Sequence, residues 1–179
     1  MINYTSFPNL ETKNLLLRRI EQNDESDLYA MRKDSSMHTF TDTKVDGNID
    51  ETIAYMEKMN QGTDEKKWII WAIEHKQTKK VIGTISIWNL NKEEKSGELG
   101  YGIIPAYQGQ GLMRESLLRV IEYGFEVMNL EKIQAYTEEN NRPSISLLEK
   151  CDFVEIGRVN EQGYTNNKDY CMIVYQLVR

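Results

Sequence analysis

The chain has 179 residues, 40% of them hydrophobic and 28% charged, with 11 glycines and 3 prolines. This length suits a single domain over residues 1–179 with a sizeable core, and the composition is near the globular average. The net charge of −6 argues against binding to nucleic acid or to anionic membranes, and it favours cationic substrates. An acidic excess that only aids solubility is the alternative interpretation.

Targeting segments and metal sites are not predicted. No stretch is apolar enough to cross a membrane, and the opening residues 1–4 do not resemble a signal peptide, so we expect a cytoplasmic protein. Cys151 and Cys171 lie twenty residues apart without a CxxC motif, and the only histidines are His38 and His75. These spacings favour neither a zinc site, a redox pair nor Ser-His-Asp chemistry.

The first third of the chain is predicted to form one strand and then helices. Residues 14–19 favour a strand, and Asn23 and Asp24 are typical helix-cap residues. One or two helices are expected within residues 24–60, including an amphipathic helix over 50–59.

Three strands are predicted to follow without an intervening helix. Residues 68–73 and 81–88 are rich in β-branched and aromatic residues and are separated by a short polar turn, which predicts an antiparallel hairpin. A polar loop at 91–96 precedes the third strand, residues 98–104. The chain thus reaches its glycine-rich loop through a meander.

That loop, Gln108-Gly109-Gln110-Gly111-Leu112-Met113, is typical of a phosphate cradle. Glycine tolerates positive φ and lets a ligand approach the backbone, and the following helix directs unpaired N–H groups at the loop. A dinucleotide-binding fingerprint requires a preceding parallel βαβ strand and a third glycine, but here Arg114 occupies that register. The loop alone therefore indicates a phosphate-bearing ligand, and its context, the preceding meander and Arg114, disfavours a dinucleotide.

The remainder is predicted to form a helix, a strand, a helix and two closing strands, over residues 113–128, 132–137, 141–151, 153–159 and 168–178. Glu115 and Arg119 are expected to pair across one turn of the first of these helices. Asn141 and Pro143 are suited to the start of the second. The order of elements predicts an α+β fold.

Alternation along residues 98–104 places two sets of residues on opposite faces of the strand: Glu98, Gly100 and Gly102 on one, and Leu99, Tyr101 and Ile103 on the other. Two strand glycines leave room for a slender ligand to approach near Glu98. A solvated edge position for Glu98 is an equally supported alternative.

Several motifs resemble those of the GCN5-related N-acetyltransferases (GNATs). The glycine loop resembles the acetyl-CoA signature of that family, with Met113 departing at the last position. Within the family the chain resembles the Rim-type branch, whose members acetylate N-termini of ribosomal proteins. The stretches that carry this resemblance are Leu10-Glu11-Thr12, Leu15, Leu17-Arg18, Glu98-Leu99-Gly100-Tyr101, Tyr107 to Gly111, Asn141, Ser144, Leu147 to Lys150 and Asp169-Tyr170.

The resemblance implies a mixed, mostly antiparallel sheet of six to seven strands flanked by about four helices. It implies that acetyl-CoA, as cosubstrate, binds at a splay between the strands at 98–104 and 132–137. Gln108 would order the loop, Asn141 would bind the pantetheine arm or a nearby water, and Ser144 could hydrogen-bond the thioester sulfur. The implied cosubstrate-binding residues are Ile103, Gln108, Gly109, Gln110, Gly111, Leu112, Met113, Asn141 and Ser144.

The chemistry of acetyl transfer needs a base, an oxyanion donor and an acid. Glu98 is the predicted base, directly or through water, and a main-chain N–H on a bulged 98–104 strand would polarise the carbonyl. Many relatives place a tyrosine acid seven residues after the asparagine, but here that residue is Leu148, so Ser144 is the predicted substitute.

The resemblance also implies where the acceptor amine binds. Residues 35–60 and the 160–168 loop would wall its pocket, with Tyr101 and Tyr164 as substrate-binding residues. The leading hypothesis is transfer of acetyl to a primary amine of a protein N-terminus, a polyamine or an aminoglycoside-like molecule, by a monomer or homodimer. A noncatalytic acyl-CoA-binding sensor is the alternative, and a nucleotide-binding protein is a more distant one.

Overall fold

The computed structural model of the chain describes residues 6–179. In this part, four α-helices are α1 (Glu25–Arg32), α2 (Ile49–Asp64), α3 (Leu112–Glu126) and α4 (Arg142–Glu149). The strands are β1 (Leu10–Glu11), β2 (Leu15–Arg18), β3 (Ile69–His75), β4 (Val81–Asn91), β5 (Ser96–Ile103), β6 (Lys132–Glu138), β7 (Val154–Gln162) and β8 (Asp169–Val178).

These strands form one sheet in the order β1-β2-β3-β4-β5-β6-β8-β7. The pairings are antiparallel except that between β5 and β6, which is parallel because α3 returns the chain across the sheet. The predicted α+β class and the mostly antiparallel sheet are confirmed. The sheet has eight strands in the described residues rather than six to seven, since the two-residue strand β1 adds to the edge at β2.

Helices cover both faces of the sheet. The larger apolar cluster lies under α3 and α4 and includes Leu117 and Val120, which are fully buried. A smaller cluster lies on the opposite face under α1 and α2 and includes Leu28 and Met56. Apolar residues at helical spacing on each helix account for this arrangement, because each helix must bury one stripe against the sheet.

The centre of the sheet opens where β5 and β6 part. These strands pair only from Ser96 to Leu99 on β5 and from Lys132 to Ala135 on β6. Beyond Leu99, β5 stays paired with β4 while β6 stays paired with β8. The predicted splay between the two central strands therefore exists, and it leaves one backbone edge of each strand unpaired with the other.

Two local predictions are wrong. The irregularity beside the splay lies in β4, where the register shifts between Trp88 and Asn91, and not in the 98–104 strand. An extra β4 residue is accommodated there, with Asn89 at φ 46°. Asp24 precedes α1 as expected, but its side chain does not cap that helix. It accepts hydrogen bonds from Arg18, at 2.8 Å, and from the main-chain nitrogen of Glu21, at 2.7 Å, in a capping box of the preceding short 3-10 helix.

The predicted pair between Glu115 and Arg119 is also wrong. Glu115 accepts hydrogen bonds from the main-chain and side-chain nitrogens of Asn14, at 2.7 and 2.8 Å. Arg119 pairs instead with Glu122, at 2.9 Å. A long-range contact has replaced the local one, because Glu115 faces the start of β2.

No helix within residues 6–179 has the length and apolar character of a membrane span.

Candidate active site

The glycine loop forms a backbone cradle at the start of α3. Gly109 and Gly111 have φ values of 71° and 78°, in the left-handed region that disfavours any residue with a Cβ. Gly111 is the N-cap residue and supplies no side-chain cap, so the first amides of α3 lack that usual acceptor. No atom lies within 4 Å of where a Cβ would stand on either glycine. This cradle fits an anionic phosphate group.

Two glutamines hold the cradle in shape. The Nε2 atom of Gln108 donates to the carbonyl of Ile103 at 3.0 Å, and that of Gln110 donates to the carbonyl of Ala106 at 3.0 Å. The first bond ties the loop to the end of β5, and the second ties it to the short 3-10 helix at Pro105–Tyr107. Met113, the departure from the family signature, is 9% exposed and packs in the larger core cluster, so its side chain turns away from the cradle.

The start of α4 brings a serine to a tyrosine of β5. Asn141 accepts a hydrogen bond from the amide of Ser144 at 3.3 Å and so caps the helix, as its position predicts. The Ser144 hydroxyl lies 2.8 Å from the Tyr101 hydroxyl. Burial raises the pKa of Tyr101 to about 12. The phenol is therefore protonated at neutral pH and able to donate.

A buried hydroxyl that the sequence did not single out lies on the same face. Thr137 follows Ile133 and Ala135 by alternation on β6, and those two residues belong to the cluster under α3 and α4. Its side-chain oxygen is buried and has no hydrogen-bond partner within residues 6–179. A ligand arm that carries amide groups and lies in the splay would supply the hydrogen-bond partner that this hydroxyl lacks. The residues present thus fit acetyl-CoA.

Glu98 lies on the opposite face, at the base of the splay. Its carboxylate accepts a hydrogen bond from the Asn89 amide nitrogen at 2.5 Å. Burial raises the pKa of Glu98, and the nearby negative charge of Glu161 raises it further, while the Asn89 bond opposes the rise. A carboxylate with a raised pKa is a better proton acceptor at neutral pH than an exposed one. Glu98 is half-buried and does not itself line the cavity described below, and its role as a base stays a prediction.

Asn89 and Glu161 were not predicted from the sequence. Asn89 reaches Glu98 because the irregularity of β4 turns its backbone to positive φ. Glu161 lies on β7, at the far edge of the sheet order. No local pattern signals either residue, although an asparagine in a strand otherwise rich in β-branched residues is a sign of irregularity.

A cavity of about 360 Å³ opens on the Glu98 face. Thr84, Ser86 and Trp88 of β4 line it together with Gly100 and Gly102 of β5, as the predicted alternation requires. A Cβ on Gly100 would stand 3.0 Å from the Ser86 hydroxyl, so this glycine keeps the cavity floor open. Side chains from α1, α2 and the segment between them form the roof of the cavity.

Residues 35–60 contribute to this roof, and their predicted place in an acceptor pocket stays a prediction. The contributing residues are Met37, His38, Thr41, Thr43, Tyr55 and Met59. His38 had no predicted role; its ring nitrogens lie 2.6 Å from the Thr43 hydroxyl and 2.8 Å from the Arg32 carbonyl. Tyr101 also borders the cavity.

The 160–168 loop reaches the same region through its backbone. The main-chain nitrogens of Tyr164 and Thr165 donate to Asp42, which lies between two cavity-lining threonines. The Tyr164 side chain is 95% exposed and does not line the cavity. Substrate binding by Tyr164 stays a prediction, and in this structure its ring points to solvent.

Comparison with known proteins assigns the family. The model of the acetyltransferase (GNAT) domain matches residues 14–154, which include the cradle, the splay and Ser144. The chain belongs to the GNAT acetyltransferase family.

Similar proteins agree with this family over nearly the whole chain. An uncharacterized N-acetyltransferase of Bacillus subtilis, YoaA, is 31% identical over 97% of this chain and 98% of its own. The ribosomal-protein-S5-alanine acetyltransferase of Vibrio fischeri superposes with a TM-score of 0.83 at 22% identity, covering 96% of both chains. Ribosomal-protein acetyltransferases are thus among the structural neighbours, as the Rim-type resemblance implies.

A second solved neighbour was determined with ligands. The spermidine N-acetyltransferase of Vibrio cholerae, in complex with CoA and spermine, superposes with a TM-score of 0.80 at 24% identity. The match covers 93% of this chain and 96% of that one. This similarity establishes the shared fold.

Proposed function

We propose that this GNAT acetyltransferase transfers the acetyl group of acetyl-CoA to a primary amine by direct attack, with Glu98 as general base and Ser144 as general acid. One observation carries the proposal: the candidate base and the candidate acid lie on opposite faces of the sheet, on either side of the splay. A thioester lying in the splay would therefore meet the amine from one face and release sulfur toward the other.

The face under α3 and α4 is proposed to hold the cosubstrate. Main-chain amides at 109–113 would bind the pyrophosphate, where the positive end of the α3 dipole adds attraction. The unpaired Thr137 hydroxyl and the Asn141 amide would meet the polar groups of the pantetheine arm. Unpaired backbone groups of β5 beyond Leu99 supply N–H donors for the thioester oxygen.

The proposed reaction balances without any further co-reactant. The amine nitrogen forms a bond to the thioester carbon, and its proton passes to the Glu98 carboxylate, directly or through water. The tetrahedral intermediate then collapses with cleavage of the carbon–sulfur bond. The departing thiolate takes the Ser144 proton, and Ser144 regains one from Tyr101. The proton on Glu98 passes to solvent, and solvent reprotonates Tyr101, so the protein ends as it began.

Tyr101 is proposed to position and reprotonate Ser144. Ser144 lies one helical turn before Leu148, on the same side of α4. Leu148 is fully buried in the core, so it offers no polar group at the place where relatives carry tyrosine. The 2.8 Å contact between the Tyr101 and Ser144 hydroxyls would supply a phenol from β5 instead.

Amine-dependent thiol release tests this function. Purified protein is incubated with acetyl-CoA and a panel of peptides, polyamines, aminoglycosides and simple monoamines, while free thiol is followed and acetylated products are weighed by mass spectrometry. We expect thiol release that depends on the amine and equals the product formed. Tight acetyl-CoA binding with no product from any amine would favour the noncatalytic sensor.

A further inference from the structure

The cavity on the Glu98 face combines an apolar and aromatic lining with a lack of carboxylates among the described residues. Its apolar lining includes three methionines and three large aromatic residues: Met31, Met37, Met59, Tyr55, Trp68 and Trp88. No aspartate or glutamate lines it in the part of the chain that the structure describes. The lining also includes polar residues that are not acidic: Arg32, His38, Thr41, Thr43, Thr84 and Ser86. Among these residues the cavity therefore offers no negative charge to neutralise a second ammonium group.

The charges around this cavity are already paired among themselves. Arg32 makes a two-point contact with Asp46, at 2.6 and 2.9 Å, and its guanidinium stacks 3.8 Å from the centre of the Tyr55 ring. Asp46 is 5% exposed and also accepts a bond from Thr52. Asp42 is occupied by the main chain of the 164–165 segment. Away from Glu98, an incoming cation would meet Arg32 rather than a free carboxylate.

We infer that the acceptor of this acetyltransferase is a primary monoamine on an uncharged, apolar body, and not a polyamine. The inference rests on the proposed function, because it assigns this cavity to the acceptor. Burying a charge without a partner is costly, so the second and third ammonium groups of a polyamine would lower its binding. An aromatic face can attract an ammonium, but the neighbouring Arg32 opposes that gain.

The size of the cavity agrees with a body of about one aromatic ring. At about 360 Å³ it is near the lower end for small-ligand pockets. An apolar cavity of about 150 Å³ already accepts benzene. The reacting amine would lie toward Trp88 and Gly100, which adjoin Glu98 on β4 and β5, with the body between Met37 and Trp68.

Two matched amines test the inference directly. Hexylamine and 1,6-diaminohexane have the same chain length and differ by one terminal amino group. We expect kcat/KM to be about 10- to 100-fold higher for hexylamine, the range set by burying one unpaired group. An equal or higher value for the diamine, or for spermidine, would overturn the inference while leaving acetyl transfer itself established.

A second pair separates two sources of the same chemistry. Phenethylamine presents the apolar amine as a free small molecule, and a phenylalanine-headed tripeptide presents it as a protein N-terminus. Either one exceeding spermidine supports the inference, and the better of the two identifies the source. If both fall below spermidine, the cavity does not select as proposed.

A charge placed in the cavity should reverse the preference. Met37 lies above Gly102, with its methyl carbon 3.4 Å from where a Cβ would stand. Met37→Glu should raise the ratio of diamine to monoamine turnover about tenfold, whereas the neutral, equally sized Met37→Gln should not. The same ratio in both variants would show that charge does not govern selection.

Failure of the proposed function is distinguished by direct binding. If no amine is acetylated, hexylamine and 1,6-diaminohexane are titrated into the CoA-bound protein, with quenching of tryptophan fluorescence from Trp68 and Trp88 as the signal. Tighter binding of hexylamine supports the cavity inference without catalysis. Tighter binding of the diamine contradicts it.

Discussion

The two faces of the sheet differ in how their sites are built. On the face under α3 and α4, the cradle is made of backbone from one contiguous loop, and glycine at positive φ defines it. On the face under α1 and α2, the cavity is made of side chains from two helices, three strands and a connecting segment. A shared cosubstrate accounts for the first arrangement, since every family member must bind the same phosphates. The second arrangement is free to change with the acceptor.

The largest effect is expected from Glu98→Gln, which tests whether the base lies on the acceptor face. Glu98→Gln keeps the shape of the side chain but cannot accept a proton, so kcat should fall by about 10² to 10⁴, the usual contribution of a general base. Steady-state kinetics with saturating acetyl-CoA measure it. Acetyl-CoA affinity should change little, because Glu98 lies on the other face.

Glu155→Gln is the matched control for this change. Glu155 is exposed on β7 and pairs with Arg158 at 2.9 Å, away from the splay. It should retain the wild-type rate. A wild-type rate in Glu98→Gln as well would remove Glu98 from the mechanism.

The second prediction concerns Gly111→Asp, which disrupts the cradle on the cosubstrate face. Gly111→Asp introduces strain at φ 78° and a negative charge beside bound phosphate, so acetyl-CoA affinity should fall about tenfold or more. Isothermal titration calorimetry gives the dissociation constant. Gly111→Asn, which has the same size and adopts left-handed backbone as aspartate does, should lose less.

The difference between these two variants isolates the electrostatic part of binding. Aspartate and asparagine share the steric change, and only aspartate repels the phosphate. Equal affinities in the two variants and the wild type would place the pyrophosphate elsewhere.

The sequence predicted local features of the site better than its long-range contacts, for a physical reason. The cradle, the Asn141 cap and the faces of the 98–104 strand depend on neighbours within a few residues, so local pattern determines them. The contact between Tyr101 and Ser144 spans 43 residues, and neither residue alone signals it. Only the packing of α4 against the splay brings the two hydroxyls together.

The predictions that failed share that cause. Glu115 has Arg119 as a helical neighbour of opposite charge, yet Asn14, just before β2, offers it two donors. Asn89 is drawn to Glu98 by an irregularity in β4 that no spacing in the sequence encodes. Polar side chains at element ends have several possible partners, and tertiary structure selects among them.

The third prediction concerns the pair of hydroxyls beside the splay, those of Tyr101 and Ser144. Tyr101→Phe removes the hydroxyl that contacts Ser144, and kcat should fall about tenfold, while KM for acetyl-CoA changes little. Ser144→Ala should cost as much or more. In the Ser144→Ala background, Tyr101→Phe should then have little further effect, because the two hydroxyls act in series.

Additive losses would contradict this arrangement. They would indicate that the Tyr101 hydroxyl acts independently of Ser144, and no loss at all in Tyr101→Phe would leave Tyr101 a packing role alone. The double-mutant cycle therefore distinguishes two hydroxyls that act in series from two that act separately.

The smallest effect is a pair of opposite shifts in pH dependence. The base acts as a carboxylate, so kcat/KM falls as pH drops through the pKa of Glu98. Asn89→Gly deletes the donor that stabilises the carboxylate while tolerating φ 46°, so it should raise that pKa and move the acidic limb to higher pH. Glu161→Gln removes a repelling charge, so it should lower the pKa and move the limb to lower pH.

Opposite signs make this test more discriminating than either variant alone. General loosening of the site would admit water and move the limb the same way in both variants, because it would relieve the burial that raises the pKa of Glu98. The pH titration of the amine substrate is common to all three proteins and cancels when one amine is used throughout. Shifts of the same sign, or no shift, would mean that another group controls the acidic limb, and the base would then have to be sought among the cavity residues beneath α1 and α2.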